Sequence, residues 1–231
     1  MDFASHEFWI AVLQIIAIDI VLSGDNAVVI ALACRNLAPG QRNKGILWGV
    51  AGAVMLRVVL TAFAAHLLGF PYLKLVGSAL LLWIAVKLLL PEEAEGPDIE
   101  APHHLWGAVK TIIVADFVMS LDNVIGVAAA ARGSILLLLF GLAVSIPLIV
   151  WASQLIMKLM ERHPIIVTLG AGLLGYVAGG MLVSDAAVKE WVAATLPAAS
   201  YIAGAAGAVF VVVLGNWLAW RKAGREERRI L

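Results

Sequence analysis

Two short strings place carboxylates and amides inside apolar parts of the sequence. DIVLSGDNAV begins at Asp19 and DFVMSLDNVI begins at Asp116, 97 positions later, and both carry the pattern D-x-x-x-S-x-D-N. Carboxylate and amide oxygens are the ligands that hard divalent cations such as Mg²⁺, Ca²⁺ and Mn²⁺ prefer. The doubled pattern therefore predicts one joint cation site with ligands from both strings: Asp19, Asp25, Asn26, Asp116, Asp122 and Asn123.

The insertion cost of these carboxylates helps to separate a functional role from a structural one. A carboxylate near the bilayer centre costs about 2.5 to 3.5 kcal/mol, so four of them oppose insertion by roughly 10 to 14 kcal/mol. In a structural role the serines and asparagines join helices by hydrogen bonds, and the aspartates pair with Arg57 or carry protons. Packing does not need the same string twice, so we favour the cation site, with Ser23, Ser120 and Arg57 in support. No His or Cys lies near the middle of an apolar segment, which argues against a softer Zn²⁺ or Cu⁺ site.

The elements that must position these residues are membrane helices. The chain has 231 residues, of which 62% are hydrophobic, whereas about 45 to 50% is usual for a soluble domain. A helix needs roughly 20 apolar residues to cross a bilayer, and the sequence contains seven such segments: 8–33, 46–68, 72–90, 105–131, 135–160, 165–184 and 201–220. We therefore predict an all-α membrane protein with seven transmembrane helices. A single cysteine, Cys34, excludes an internal disulfide.

The basic residues predict the orientation of the chain. With the N-terminus outside, the outer loops hold only Lys74, Arg132 and Lys189. The inner loops and the tail then hold eleven basic residues: Arg35, Arg42, Lys44, Lys87, Lys158, Arg162, Arg221, Lys222, Arg225, Arg228 and Arg229. This asymmetry satisfies the positive-inside rule and places the C-terminus in the cytoplasm. The acidic loop 91–104 is also predicted to be cytoplasmic and solvated, with weak binding of a divalent ion as the alternative.

The two strings belong to a longer internal repeat. Shifted by 97, HEFWIAVLQIIAIDIVLSGDNAVVIALACR matches HHLWGAVKTIIVADFVMSLDNVIGVAAAAR, and slightly different offsets place Gly49 on Gly141, Gly77 on Gly170 and Glu92 on Asp185. Each unit contains three spans, and because three is odd, the second unit must enter the membrane from the opposite face. We predict a first repeat at 1–96, an inverted repeat at 97–190, and a seventh helix with a basic cytoplasmic tail at 191–231.

The inversion predicts two levels of carboxylates. The aspartates of each string lie about 4.5 Å on either side of the bilayer centre if the helices are straight. Span four runs opposite to span one, so Asp19 lies level with Asp122 in an outer tier and Asp25 lies level with Asp116 in an inner tier, about 9 Å away. On an unbroken helix Asp25 turns about 120° away from the stripe of Asp19. Spans two and five, or local unwinding near Gly24, must then complete the inner tier.

The doubled D-x-x-x-S-x-D-N in a seven-span chain resembles the TerC family of bacterial membrane proteins, and particularly its short YjbE-like members. The resemblance covers essentially the whole chain. It implies export of manganese across the bacterial plasma membrane, within a wider set of transporters related to the lysine exporters. The family's acidic and amide positions fall on the six residues already named as ligands. The repeats differ at Gly24 and Leu121, so a glycine break in both is not implied.

Three functions from different classes remain open on the sequence. The first is transport of a divalent cation, which we favour, with no resident cofactor, Mn²⁺ as substrate and protons as the preferred counter-ion. The second is an amino-acid exporter, for which Arg57 is the mid-span candidate to bind a substrate carboxylate. The third is an intramembrane aspartyl enzyme, although we expect no enzymatic activity. The expected partners are the cation and the lipid bilayer, with no nucleic acid. The sequence leaves the oligomeric state, the coupling ion and the preference among Mn²⁺, Ca²⁺ and Mg²⁺ open.

Overall fold

The structure is a computed structural model that describes residues 9–10, 12–17, 24–63, 70–90, 102–131, 134–196 and 198–230. Within these ranges all regular secondary structure is helical. Residues 12–17 are helical, and eight further helices follow: α1 (Gly24–Cys34), α2 (Pro39–Ala62), α3 (Leu73–Leu89), α4 (Pro102–Ala131), α5 (Ile135–Arg162), α6 (Ile165–Val183), α7 (Lys189–Thr195) and α8 (Ala199–Ile230). The predicted all-α class is confirmed. Residues 91–101, which form most of the acidic loop, lie outside the described residues.

Several of these helices have the length and composition of membrane spans. Four of the described helices meet both requirements: Pro39–Ala62, Leu138–Arg162, Ile165–Val183 and Ala199–Lys222. The shorter apolar helix Gly24–Cys34 lies in the predicted span one, and α3 has 17 residues. The protein is therefore a multi-pass helical membrane protein, and the count of seven spans stays a prediction.

The described helices belong to two compact units. Unit 1 comprises Met1–Phe70 and Pro102–Leu159, and unit 2 comprises Pro71–Ala101 and Met160–Leu231. Unit 1 therefore takes the first two predicted spans of each repeat, whereas unit 2 takes the third span of each repeat and the last helix. The predicted sequence boundaries at 96 and 190 describe the repeat, and nothing in this division tests them.

In unit 1, α2 and α4 pack closely because glycines of α2 leave room for large side chains of α4. A Cβ atom at Gly49 would lie 2.5 Å from the Ile112 side chain, and one at Gly45 would lie 3.4 Å from the Leu105 side chain. The contacting positions ascend together along both helices, so α2 and α4 run parallel. A parallel pair of membrane helices crosses the bilayer in one direction, as the predicted inverted topology requires of spans two and four.

Unit 1 also contains the repeat-related counterpart of this contact. Gly141 on α5 faces Ile15 in the same way as Gly49 faces Ile112. Gly141 is the repeat position of Gly49, and Ile112 follows Ile15 by the 97-residue shift. Around Ile15 the buried side chains of Val12, Leu138 and Leu142 form a small core. The same pair of positions is thus in contact in both halves, which supports the predicted repeat without fixing its span count.

In unit 2, α6 and α8 approach each other at the level of their backbones. A Cβ atom at Gly179 would collide with the Ala203 carbonyl, and one at Gly175 would lie 2.5 Å from the Gly207 carbonyl oxygen. Small residues on the facing surfaces of α6 and α8 permit this close approach of the two backbones. Membrane helices commonly pack in this way. Glycine is therefore required at these positions by packing.

An aspartate that follows α6 caps the N-terminus of α3. The Asp185 carboxylate, which is fully buried, accepts backbone N–H groups from Tyr72 at 2.9 Å, Lys74 at 3.0 Å, Leu75 at 3.2 Å and Ala187 at 2.8 Å. Tyr72 is in the left-handed region with φ 69°. These bonds satisfy N–H groups that the first turn of a helix leaves unpaired. They fix the start of α3 against the end of α6.

The Asp185 cap gives a prediction for stability and its pH dependence. Burial raises the pKa of Asp185, but the four N–H donors outweigh burial and hold that pKa below its ordinary value of 3.8. A carboxyl group with a lowered folded-state pKa stabilises the fold above its ordinary pKa, and this contribution is lost as pH falls through the lowered value. Asp185→Asn should therefore lower the free energy of unfolding at neutral pH by about 1 to 3 kcal/mol.

Thermal unfolding in detergent over a range of pH checks this prediction. The difference between wild type and Asp185→Asn should be constant from neutral pH to moderately acid pH and should narrow below the ordinary pKa of an aspartate. Glu190→Gln is the control, because Glu190 is an exposed carboxylate on α7. Equal melting temperatures for the two variants would contradict the capping role.

Candidate cation site

A buried ion pair joins α2 to α4 in unit 1. The Arg57 guanidinium donates from Nη2 to Asp116 Oδ1 at 2.6 Å and from Nε to Ser120 Oγ at 3.3 Å. Ser120 in turn donates to Asp116 Oδ2 at 3.1 Å. The side chains of Arg57 and Asp116 are only 4% and 6% exposed. The three groups form a closed hydrogen-bonded network in the low-dielectric part of the helix pair.

The close packing of α2 and α4 explains how this network forms. Gly49 and Gly52 of α2 lie against Ile112 and Ile113 of α4, so the helix axes are near enough for Arg57 to reach α4. Asp116 and Ser120 are four residues apart and therefore share one face of α4. That spacing presents the carboxylate and the hydroxyl to the same guanidinium. The sequence thus supplies both the glycines that let the two helices approach and the polar pair on α4 that binds Arg57.

Asp25 lies in α1, a helix that packs against both α2 and α4. Its Oδ1 accepts the backbone N–H of Asn26 at 2.9 Å. The two predicted inner-tier aspartates, Asp25 and Asp116, therefore lie on neighbouring helices of unit 1, and their joint role as ligands stays a prediction.

Asn26 has the most unusual environment among these residues. Its side chain is 4% exposed, and within the described part of the chain neither Oδ1 nor Nδ2 has a hydrogen-bond partner. An unsatisfied buried amide costs about 1 to 3 kcal/mol per group, so such groups are uncommon in folded proteins. A carbonyl oxygen held in this way has its lone pairs available for a cation.

The other predicted ligands lie only partly within the described residues. Asp19 and Ser23 lie outside them, and Asp122 is described only as a backbone position of α4. Asn123 is partly buried and already has an interaction. Within the described residues no group of three or more His, Cys, Asp or Glu side chains could hold a metal ion. The outer tier of Asp19 and Asp122 therefore stays a prediction, as do the metal roles of all six residues.

The second string lies within one continuous helix, since α4 runs without interruption from Pro102 to Ala131. Residues 19–23 of the first string lie outside the described residues. Local unwinding near Gly24 therefore stays a prediction.

Two features depend on tertiary packing. The sequence offers pairing of the aspartates with Arg57 as the structural alternative, but the choice of Asp116 and Ser120 as its partners follows from the approach of α2 to α4. The capping role of Asp185 requires the contact with α3. The signal for it in the sequence is that both repeats carry an acidic residue at this position. Glu92 lies outside the described residues.

Comparison with known proteins places this architecture among bacterial membrane proteins. Residues 4–223 match the family model described as "Integral membrane protein TerC family". The chain is 44% identical over 180 residues to the "Uncharacterized membrane protein YjbE" of Bacillus subtilis, covering 78% of this chain and 82% of that protein. It is 30% identical over 186 residues to the "UPF0053 protein YegH" of Escherichia coli, covering 72% of this chain but only 35% of that longer protein.

A second Bacillus subtilis protein, the "Uncharacterized membrane protein YceF", is 24% identical over 179 residues, which cover 74% of this chain and 69% of that protein. No solved structure matches the chain. The family model spans nearly the whole sequence. The chain therefore belongs to the TerC family of integral membrane proteins.

Proposed function

We propose that this TerC-family chain exports a divalent metal cation, with Mn²⁺ as the favoured substrate, by alternating access. The ligands are the paired aspartates and neighbouring amides of the two strings: Asp19, Asp25, Asn26, Asp116, Asp122 and Asn123. Ser23, Ser120 and Arg57 support them. The preference for manganese comes from the family resemblance, whereas a hard divalent cation is what the donor set itself favours.

The observation that carries the proposal is the buried side chain of Asn26, which has no hydrogen-bond partner among the described residues. Asn26 directly follows Asp25 in α1, a helix that packs against α2 and α4. A packing role leaves the cost of this amide unexplained, since hydrogen bonding to a neighbouring helix would be its purpose. Coordination of a transported cation uses the Asn26 oxygen together with the Asp25 carboxylate.

The repeat-related contacts support the transport mechanism. The Gly49–Ile112 and Gly141–Ile15 contacts are the same contact in two halves of the chain. Inverted repeats allow two alternative arrangements that open the same site to opposite sides of a membrane. We place the chain in the bacterial plasma membrane, with its N-terminus outside and the basic end of α8 in the cytoplasm.

The amino-acid exporter is the alternative, and it needs a cation that can bind a substrate carboxylate. Arg57 is the mid-span candidate, but its guanidinium is already hydrogen-bonded to Asp116 and Ser120. Displacing Asp116 in favour of another carboxylate would replace one ion pair with a similar one and leave Asp116 buried and unpaired. The observed pairing therefore favours the metal cation.

A flux experiment on the purified protein tests the proposal. We expect proteoliposomes to move Mn²⁺ down an imposed gradient and a trapped pH indicator to report proton counterflow, since clustered carboxylates in a low-dielectric site bind protons more readily. Calorimetric titration with Mn²⁺, Ca²⁺ and Mg²⁺ ranks the three ions by their affinity for the protein. Absence of Mn²⁺ flux would overturn the proposal. Mn²⁺ flux without a pH change would overturn only the choice of protons as counter-ion.

Asn26→Leu separates a ligand from a packing residue. Removal of an unsatisfied buried amide should leave thermal stability unchanged or raise it, whereas loss of a ligand should reduce Mn²⁺ flux at least about tenfold, the equivalent of 1.4 kcal/mol. Flux in proteoliposomes and melting temperature in detergent are measured on the same preparation. A variant that melts earlier but transports normally would show that Asn26 is structural.

A further inference from the structure

Arg57 breaks the symmetry of the repeat at the cation site. The offset that places Gly49 on Gly141 places Arg57 on Ile149, a buried aliphatic residue of α5. The Asp116 string of the second repeat therefore has a guanidinium partner from α2, but the repeat-equivalent position on α5 carries no charge. If this position served only to pack helices together, a charged residue would not be needed in one repeat and an aliphatic residue in the other.

The geometry of Arg57 matches that of a bound cation. Its Nη2 lies 2.6 Å from Asp116 Oδ1, and Ser120 bridges the other carboxylate oxygen to Nε. Both Asp116 oxygens are thus engaged by groups of the protein itself. A transported cation cannot use Asp116 as a ligand unless the guanidinium releases at least one of these oxygens.

On the basis of the proposed function, we propose that Arg57 is a tethered cation that neutralises Asp116 when the transport site is empty. When the metal ion binds, it displaces the guanidinium from the carboxylate. When the ion leaves, Arg57 returns to Asp116. The empty site can then change its orientation without carrying that carboxylate unpaired through the low-dielectric part of the membrane.

This role predicts different effects on two modes of transport. Net export requires the empty carrier to reorient, whereas exchange of Mn²⁺ for Mn²⁺ uses only the ion-loaded carrier. Without the tethered charge, reorientation of the empty site is opposed by a buried, unpaired carboxylate, and reorientation of the loaded site is not. Loss of Arg57 should thus slow net export while exchange continues.

The experiment compares both modes in proteoliposomes for wild type and three variants: Arg57→Gln, Arg57→Lys and the double variant Arg57→Gln with Asp116→Asn. In Arg57→Gln we expect net export to fall at least about tenfold relative to exchange, because a buried charge that loses its partner is strongly disfavoured. Arg57→Lys keeps a tethered charge but lacks the planar fork with which the guanidinium reaches both Asp116 and Ser120, so its ratio should lie between those of wild type and Arg57→Gln.

The double variant is the matched control, since it removes the guanidinium together with the Asp116 charge that the guanidinium neutralises. Its affinity for Mn²⁺ should be lower, but its ratio of net export to exchange should return to that of wild type. If Arg57→Gln does not accumulate in the membrane, the double variant still tests the proposal. Exchange without net export in the double variant would overturn it.

The outcomes distinguish this inference from the proposed function. Mn²⁺ transport by wild type together with an unchanged ratio in Arg57→Gln would overturn the tethered-cation role alone. A parallel loss of both modes in Arg57→Gln, with neither restored by the double variant, would assign Arg57 a structural role and overturn it as well. Absence of both modes in wild type would overturn the proposed function, and this inference with it.

Discussion

Transport of Mn²⁺ should fall at least about a hundredfold when Asp25→Asn and Asp122→Asn are combined, while the protein accumulates normally in the membrane. Each substitution retains side-chain size but replaces an anionic ligand oxygen with a neutral amide, and hard cations select for carboxylate charge. Loss of about 1.4 kcal/mol of binding at each position corresponds to a tenfold effect. Removal of buried charge also lowers the cost of insertion, so loss of function is not expected to come from loss of protein.

Metal resistance of cells and flux in proteoliposomes measure this loss, with the amount of membrane protein determined in parallel. Glu161→Gln is the control, because it removes an exposed carboxylate at the end of α5 that belongs to neither string. Normal metal resistance in cells that carry the double substitution would defeat the metal-site proposal. Asp25→Asn alone tests the predicted inner tier, and Asp122→Asn alone tests the predicted outer tier.

The class of the protein could be predicted from the sequence because it depends on local properties. Apolar segments of sufficient length must form helices in a membrane, since lipid offers no partners for backbone groups. The repeat was also visible because its 97-residue shift aligns whole strings. The repeat alignment pairs Gly49 with Gly141 and Ile15 with Ile112, and in the structure Gly49 contacts Ile112 and Gly141 contacts Ile15.

The candidate site could be predicted only as a set of residues. Helical periodicity placed Asp25 on a different face from Asp19 and could not say which helices would meet it. The specific network of Arg57, Asp116 and Ser120 depends on the approach of α2 to α4, which is set by glycines that have no polar role. Likewise, the Asp185 cap joins backbone groups more than a hundred positions away, a distance that no local pattern reports.

Gly179→Ala should be the most destabilising single-methyl change in unit 2. The added Cβ would collide with the Ala203 carbonyl of α8, and a backbone atom cannot turn aside as the end of a flexible side chain can. The two helices must separate or shift, which disrupts neighbouring contacts such as that between Gly175 and Gly207. Overpacking of this kind costs about 1 to 3 kcal/mol, so the melting temperature in detergent should fall clearly.

Gly180→Ala provides a control at the adjacent position of the same helix. A Cβ atom at Gly180 meets no side chain or neighbouring-helix atom within 4 Å, and alanine favours a helix over glycine by about 0.8 to 1.0 kcal/mol. This variant should therefore melt at or above the temperature of wild type. If both variants melt alike, the close approach of α6 to α8 is not what stabilises unit 2. Opposite shifts at neighbouring glycines would instead assign the stability to helix packing, because the two substitutions are chemically identical and differ only in what faces them.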